Sequence, residues 1–445
     1  MMRKTLSLII AAWLASLTAT VTTSAAAADL MAVYRDAMAY DAQYASARAT
    51  LDAGREKLPQ GRSALLPTIG LAADVKWNDA DSQARATGVT TSNRYNSNGW
   101  SITLTQPLFR SQNWIAYSQA ELTVAQAEAQ FGLAKMELIV RAAQVYFDVL
   151  LAQDARATAQ AQKLAIAEQL ESAKRNFEVG TATITDTHEA QARFDLASAQ
   201  EIATQNELLV KQQALRAVIG KEPEGLKMLK PGVEMSRPQP DDISKWAEMA
   251  ETASSSVQIY RAGLEIAQRE VERQRAGHLP TLDLVATRGK STIGSGYSTG
   301  GSDSNSTTVG VQLALPIFSG GITVSKEREA VALREKASAD LENARRTAAL
   351  NARSAYLGVT SGLAQVKAYE AALTSSQSAL DSNKLGYEVG VRINIDVLNA
   401  QSQLYDTRQK LAKARLDTLA ALLKLKAAAG NLSESDVQAI NALLE

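Results

Sequence analysis

Two stretches of this chain carry the same residue types at the same spacing: Phe177, Glu178, Val179, Gly180 and Asp186, then Tyr387, Glu388, Val389, Gly390 and Asp396. The offset is 210 residues (387 minus 177; 396 minus 186), and it also aligns Tyr146 with Tyr356, Ala190 with Ala400, Gln191 with Gln401 and Gly220 with Gly430. Aspartate ahead of a helix is a favoured N-cap, and Gly180 and Gly390 suit left-handed helix C-caps. Capping is not bond-making chemistry. No Gly-rich phosphate loop, nucleophile motif or metal-ligand spacing occurs in the chain, and His188 and His278 lie in different parts of it. The chain has no cysteine, so thiol chemistry, disulfides and Cys-ligated metals are excluded. No enzymatic activity and no cofactor is expected.

So many matches at one offset describe a unit written twice. Each copy sets a long helical pattern before the glycine and a shorter one after it, which is a helical hairpin with the twin turn at its tip. The long legs, 112–178 and 320–388, would each reach roughly 100 Å at 1.5 Å per residue. That is about three times a bilayer core. The shorter pieces 29–61 and 187–219 have the combined length of one long leg, so the first should descend and the second ascend to meet midway. The Pro-containing segment 221–240 and the C-terminal segment 431–445 should form a belt around that middle. Leu133, Met136, Val140, Ala143, Phe147, Leu150, Asp154, Ala157, Ala161 and Leu164 recur at 3-4 spacing as a coiled-coil core with one polar member.

Between the helical stretches the period changes to two. Ile69, Leu71, Ala73, Val75 and Trp77 alternate with Thr68, Gly70, Ala72, Asp74 and Lys76; Trp100, Ile102 and Leu104 alternate with Ser101, Thr103 and Thr105. The second half repeats this with Leu282, Leu284 and Ala286, then Val309, Val311, Leu313 and Leu315. Polar loops are expected over 78–97 and 289–307. One apolar and one polar face fit strands between lipid and a wet lumen, with Trp77, Trp100, Phe109 and Phe318 as aromatic girdles. Four strands cannot close a barrel, and an open edge in lipid leaves backbone groups unsatisfied, so copies must join, giving eight strands as a dimer or twelve as a trimer.

The 47 basic and 47 acidic side chains give no basic face for nucleic acid. Residues 1–28 read as a secretory signal peptide, with Arg3 and Lys4, an apolar stretch from Leu6 to Leu17 and small residues Ala26, Ala27 and Ala28. The expected division is this signal, a first repeat over 29–240 and a second over 241–445.

The motifs F-E-V-G-T-A-T-I-T-D and Y-E-V-G-V-R-I-N-I-D, with L-P-T-I and L-P-T-L at strand starts and Q-P-L-F and L-P-I-F at strand exits, resemble the TolC-type outer-membrane channels of Gram-negative export systems. The resemblance runs from about Asp29 to the C-terminus. It implies a mainly α protein with a β-barrel portion: a homotrimer whose twelve-stranded barrel in outer-membrane lipid continues as a periplasmic α-barrel closed at its tip. It also implies partners, a periplasmic adaptor and an inner-membrane ABC or RND-type transporter. Carried over by motif, Tyr387 and Arg392 would latch the tip against Thr185 and Asp186. Asp396 would form an acidic ring at the constriction, and the second ring position would be Asn399, a departure from a two-aspartate pattern that predicts weaker cation attraction and block.

Two other classes compete: a non-conducting coiled-coil trimer of the envelope, and an enzyme. A polar lumen face and a constricted tip favour the channel. The absence of a Cys after the signal excludes a lipidated N-terminus and leans toward type I protein secretion or a multipurpose duct rather than dedicated drug efflux.

Overall fold

The computed structural model describes residues 28–222, 225–295 and 300–445. The signal-peptide expectation over 1–28 falls almost wholly outside them. Ala28 itself lies in a parallel bridge, its N–H donating to the Gly225 carbonyl at 2.8 Å.

Strands β1 (Thr68–Gln83), β2 (Thr90–Phe109), β3 (Thr281–Ile293) and β4 (Ser302–Ala314) form one antiparallel sheet in sequence order, so β1 and β4 are its free edges. The expected alternation holds: Ile69, Leu71, Val75, Trp77, Trp100, Ile102, Val309, Val311 and Leu313 are all exposed on the protomer. Such a continuous apolar face is far beyond what a water-facing surface carries. The polar loops expected over 78–97 and 289–307 are a correction. Both hairpins keep pairing through these polar stretches, Asn78 opposite Tyr95 out to Gln83 opposite Thr90, and Arg288 opposite Thr307 out to Ile293 opposite Ser302. Ladder hydrogen bonds need no apolar side chains, and Arg94 with Asp79 (3.2 Å) and Thr292 with Asp303 (2.6 Å) add cross-strand contacts. The apolar alternation marks the lipid zone and the strands outrun it. Where β2 hands over to the helices, Arg110 donates two bonds to Asp283 of β3, at 2.8 and 2.6 Å.

The helices are α1 (Leu30–Tyr40), α2 (Ala42–Arg55), α3 (Lys57–Ser63), α4 (Ser111–Glu178), α5 (Ile184–Ile219), α6 (Ile243–Ala253), α7 (Ser255–Arg275), α8 (Ile322–Glu388), α9 (Asn394–Ala428) and α10 (Glu434–Asn441). Among the described residues no helix is long and apolar enough to cross a membrane. The long legs α4 and α8 have 68 and 67 residues, close to expectation. The single helix expected over 29–61 is broken at Asp41, whose extended backbone ends α1 while its side chain caps α2 through Tyr44 N at 2.7 Å. The same buried carboxylate accepts two bonds from Arg141 of α4, at 3.2 and 2.7 Å. Ser254, non-helical at φ -55° and ψ 133°, breaks α6 from α7 without a side-chain cap, its hydroxyl bonding instead to that of Ser256 at 2.9 Å. The two breaks are 213 residues apart (254 minus 41), the offset that also relates Pro280 to Pro67.

The descending and ascending pieces do meet midway. Gly220 ends α5 at φ +76° so close to the Tyr40 ring that a Cβ there would collide with it, and Lys221 pairs with Asp36 at 2.7 Å. In the second half Gly430 sits against the backbone of Ala253 and Ser254. The belt closes the same level: Met228 and Glu445 exchange backbone hydrogen bonds at 3.1 and 2.9 Å. The largest apolar cluster lies here, where Leu226, Leu432, Val437, Ile440 and Leu444 cover α1, α4 and α9.

The expected core stripe on α4 is right only in this region. Met136, Ala143, Phe147 and Leu150 are buried, but Leu164 is exposed in the protomer and the buried positions become Ala155, Ala159, Ile166, Leu170 and Ala173. A strict seven-residue repeat drifts against 3.6 residues per turn, and α4 exchanges its neighbour α1 for α5 on the way down.

Gly220→Ala should therefore destabilise the protein by more than about 1 kcal/mol, from a left-handed φ and a methyl driven into the Tyr40 ring. Adding Tyr40→Ala should recover only the second part. An unchanged midpoint in far-ultraviolet circular dichroism melting of Gly220→Ala would contradict this junction.

Candidate functional site: the twin-turn tip

Both hairpin tips are built by one device. Val179 and Val389 end the long legs, and Gly180 and Gly390 follow at φ +77° and +79°. The next N–H groups turn back: Thr181 donates to the Asn176 carbonyl at 2.8 Å and Val391 to the Gly386 carbonyl at 2.8 Å. Gly180 and Gly390 donate to Phe177 and Tyr387 carbonyls at 3.0 and 3.1 Å. These paired bonds satisfy the last helical carbonyls, and they need a left-handed residue where only glycine enters without cost.

The return helices start unequally. Thr183 and Asp186 form a full capping box: Asp186 Oδ2 accepts from Thr183 N at 2.9 Å and Thr183 Oγ1 at 2.7 Å, and Asp186 N donates to Thr183 Oγ1 at 3.3 Å. At the matching position of the second turn stands Ile393, which has no hydroxyl. Among the described residues Asp396 Oδ2 is held only by Ile393 N at 3.5 Å and by Arg392 Nη1 at 3.7 Å. Asp186 is thus a fixed cap and Asp396 a loosely held carboxylate.

Among the described residues of the single protomer, the four expected latch residues are not brought together. Tyr387 accepts from Asn176 Nδ2 at 3.0 Å, Arg392 folds back over Gly386 toward Asp396, and Asp186 serves its own helix beside Thr185. Asn399 accepts from Arg193 Nη2 at 2.9 Å. Asp396 and Asn399, three positions apart, do share a face of α9.

The contacts that join the two hairpins form a seam, chiefly between α4 and the second hairpin, with Arg193 of α5 adding its bond to Asn399. Within the hairpins the packing is apolar, through Ile166, Leu170, Ala173 and Ala190 in the first and Leu380, Val397 and Leu404 in the second. Across the seam α9 adds Leu398 to the first cluster, with Ile395 partly buried against it, and polar contacts flank them. Tyr405 donates to the Ala161 carbonyl at 3.3 Å, Gln169 donates to the buried Asn394, and Asn176 donates to Tyr387. Burial raises the Asp154 carboxyl above its usual range, against the opposing pull of Arg408. Sequence reasoning missed Asn176, Gln169, Arg193 and Asn394. A signal existed for the first: at the 210-residue offset Asn176 corresponds to Gly386 and Phe177 to Tyr387, so an amide and a phenol replace partners that cannot hydrogen-bond.

A four-stranded lipid-facing sheet with open edges, carried on two hairpins that reach far into water and end in polar turns, defines the protomer of a trimeric outer-membrane channel. The comparisons with known proteins agree. The outer membrane efflux protein family matches this sequence twice, over 33–221 and 246–431. Outer membrane protein TolC of Vibrio cholerae is 34% identical over 446 residues, covering 100% of this chain and 99% of its own. Alkaline protease secretion protein AprF of Pseudomonas aeruginosa is 34% identical over 416 residues, covering 92% and 86%. The fold of the Campylobacter jejuni CmeC outer membrane channel superposes with a TM-score of 0.78 at 17% identity, covering 93% of this chain and 89% of that one. The chain belongs to the outer membrane efflux protein family, whose members are transport proteins of the Gram-negative outer membrane.

Two outcomes test the seam. Tyr387→Phe deletes one hydrogen bond worth about 0.5–1.5 kcal/mol, so amide exchange around 381–392 should rise about 2- to 10-fold, and an unchanged rate would contradict the contact. For Asp154 the raised pKa means a penalty absent below the ordinary carboxylate range and complete once pH passes the raised value. Asp154→Asn should therefore stabilise the protein at neutral pH and lose that advantage toward pH ~4; a constant difference across that range would contradict the burial.

Proposed function

We propose that this protein is the outer-membrane duct of a tripartite export assembly, passing secreted polypeptides in type I fashion, small molecules, or both. It acts as a homotrimer engaged by a periplasmic adaptor and an inner-membrane transporter of the ABC or RND type. The observation that carries the reading is the joining of an open-edged, two-faced sheet to hairpins about 100 Å long, a length that serves to bridge the periplasm. The relative named for alkaline protease secretion favours polypeptide cargo. Residues 29–240 and 241–445 are the two repeats, and 1–28 direct export.

The gate lies at the twin turns. In the capping box both bonds to Asp186 use Oδ2, which leaves its other oxygen, with Thr185 alongside, as an acceptor for a guanidinium. Arg392, at 3.7 Å from Asp396 and largely exposed, is free to reach such an acceptor on a neighbouring protomer. A charge-assisted bond of this kind is strong when made and reversible when water enters, as a latch requires. Tyr387, tied to Asn176, holds the second hairpin against the first. Gly180 and Gly390 set the turns, and Asp396 and Asn399 face the constriction.

Single-channel currents in planar bilayers test this reading. Wild type should show a small conductance that rises severalfold in a Tyr387→Phe, Arg392→Ser double variant. No conductance from either, from a folded trimer in the membrane, would sink the duct.

A further inference from the structure

The lipid-facing side of the sheet carries two cations where its neighbours are still apolar. Pairing of β2 with β3 sets Arg288 opposite Ile102 and Lys290 opposite Trp100, so both share the face of Leu284 and Ala286 rather than the wet face of Asp283. On β4 their partners are Thr307 and Asn305, a hydroxyl and an amide. Arg288 lies six residues beyond Leu282 (288 minus 282). At the usual rise and tilt that is roughly 15 Å along the membrane normal, inside an apolar band about 25 Å tall, and Lys290 comes about 5 Å nearer the outer edge. The helices leave the other end of the strands, so this edge belongs to the leaflet facing away from the periplasm.

A guanidinium facing lipid is costly near mid-bilayer and tolerated as it reaches the interface. Arg288 is exposed and, among the described residues, has no carboxylate partner. Lys290 meets Asp303 Oδ1 only at 3.8 Å, and that oxygen already accepts from Thr292 at 2.6 Å. Farther along the same face Arg94 is neutralised by Asp79 at 3.2 Å. Two positive charges at the border of the apolar band are therefore left without full compensation from the protein.

We infer that Arg288 and Lys290 form a binding site for the phosphate of a phosphorylated outer-leaflet lipid. Long basic side chains lay their stems along apolar surface and carry their charge to the headgroup level. A phosphate there takes parallel N–H bonds from a guanidinium and a point charge from an ammonium. Thr307 and Asn305 stand alongside as further donors. Ile102 and Trp100 meet the acyl chain of the same molecule, an apolar contact that a free phosphate ion lacks, and so the occupant is a lipid. The site lies within one protomer, on β3 between β2 and β4, so ring closure through β1 and β4 leaves it open and the trimer presents one per protomer.

Native mass spectrometry of the detergent-solubilised trimer, titrated with diphosphorylated lipid A, tests the site. Wild type should bind one lipid per protomer. Arg288→Gln and Lys290→Gln should each weaken binding roughly fivefold, and the double variant more than either. Arg288→Lys should keep most of it, and Arg94→Gln should bind as wild type. Thr307→Asp, which sets a carboxylate opposite Arg288, should weaken binding without removing either cation. Lipid A stripped of its phosphates should bind poorly to every form, and excess inorganic phosphate should not displace the intact lipid. Removing a charge from a lipid-facing position does not endanger folding, and the trimer mass in the same spectrum confirms assembly. Equal affinity of wild type and the double variant would overturn the site, as would equal binding of the dephosphorylated lipid. Full displacement by inorganic phosphate would leave a simple anion site and overturn the lipid assignment.

Discussion

The structure depends on a pair of strand edges that the protomer cannot satisfy. β1 and β4 each present a row of unpaired N–H and C=O groups beside side chains suited only to lipid. In hydrocarbon every such group costs several kcal/mol, so the edges must find one another on neighbouring copies. With an even number of strands per protomer, β4 meets the next β1 antiparallel and the ring closes without conflict. Once the sheet is a ring, the helices that leave it are set on a ring too, and a tube is the only continuation open to them. The Arg110 pair with Asp283 ties the end of β2 to the start of β3 where that handover occurs.

Duplication solves the next problem, how to carry a tube far into water with short chain segments. In each half one helix runs the whole way, and two shorter ones stack end to end beside it. Stacked ends leave unsatisfied carbonyls and N–H groups, and the chain treats both junctions alike. A non-helical residue, Asp41 or Ser254, starts the second piece, and Gly220 or Gly430 ends the ascending leg against it. The belt then covers the seam with the largest apolar cluster in the molecule. The apolar packing is most extensive at this middle level, whereas at the turns small apolar clusters are joined by single hydrogen bonds and partly exposed charges.

Much of this was legible in the sequence because it follows from periodicity and turn chemistry. The change of period at Thr68 and again at Thr281, the glycines at both tips and the shared offset locate the strands, the hairpins and the duplication. The extent of the strands was not legible: Asp79, Arg94, Thr292 and Asp303 are polar on both sides of the pairing, so nothing in hydropathy distinguishes a solvated ladder from a loop. The breaks at Asp41 and Ser254 were hidden for a related reason, since the apolar pattern continues through them and only the cap geometry shows the interruption. At the tip, motif matching singled out Asp186, Asp396 and Arg392, all of which lie at the turns. It could not foresee that Thr183 would occupy one carboxylate while Ile393 left the other loose, or that Arg193 would arrive from the opposite helix. Those contacts depend on side-chain reach between elements far apart in sequence.

Closure of the sheet between copies is the central claim, and cysteine cross-linking tests it most directly, since the native chain has no cysteine. Ala72 on β1 and Gln312 on β4 both lie on the face opposite the apolar rows, and within one protomer three strand spacings, about 14 Å, separate their strands. In an Ala72→Cys, Gln312→Cys variant in outer membranes, a maleimide cross-linker shorter than that span should give covalent dimers and trimers on denaturing electrophoresis, and each single-cysteine variant should stay monomeric. Monomer alone from the double variant, with both thiols shown to react, would contradict closure through these edges and with it the tube.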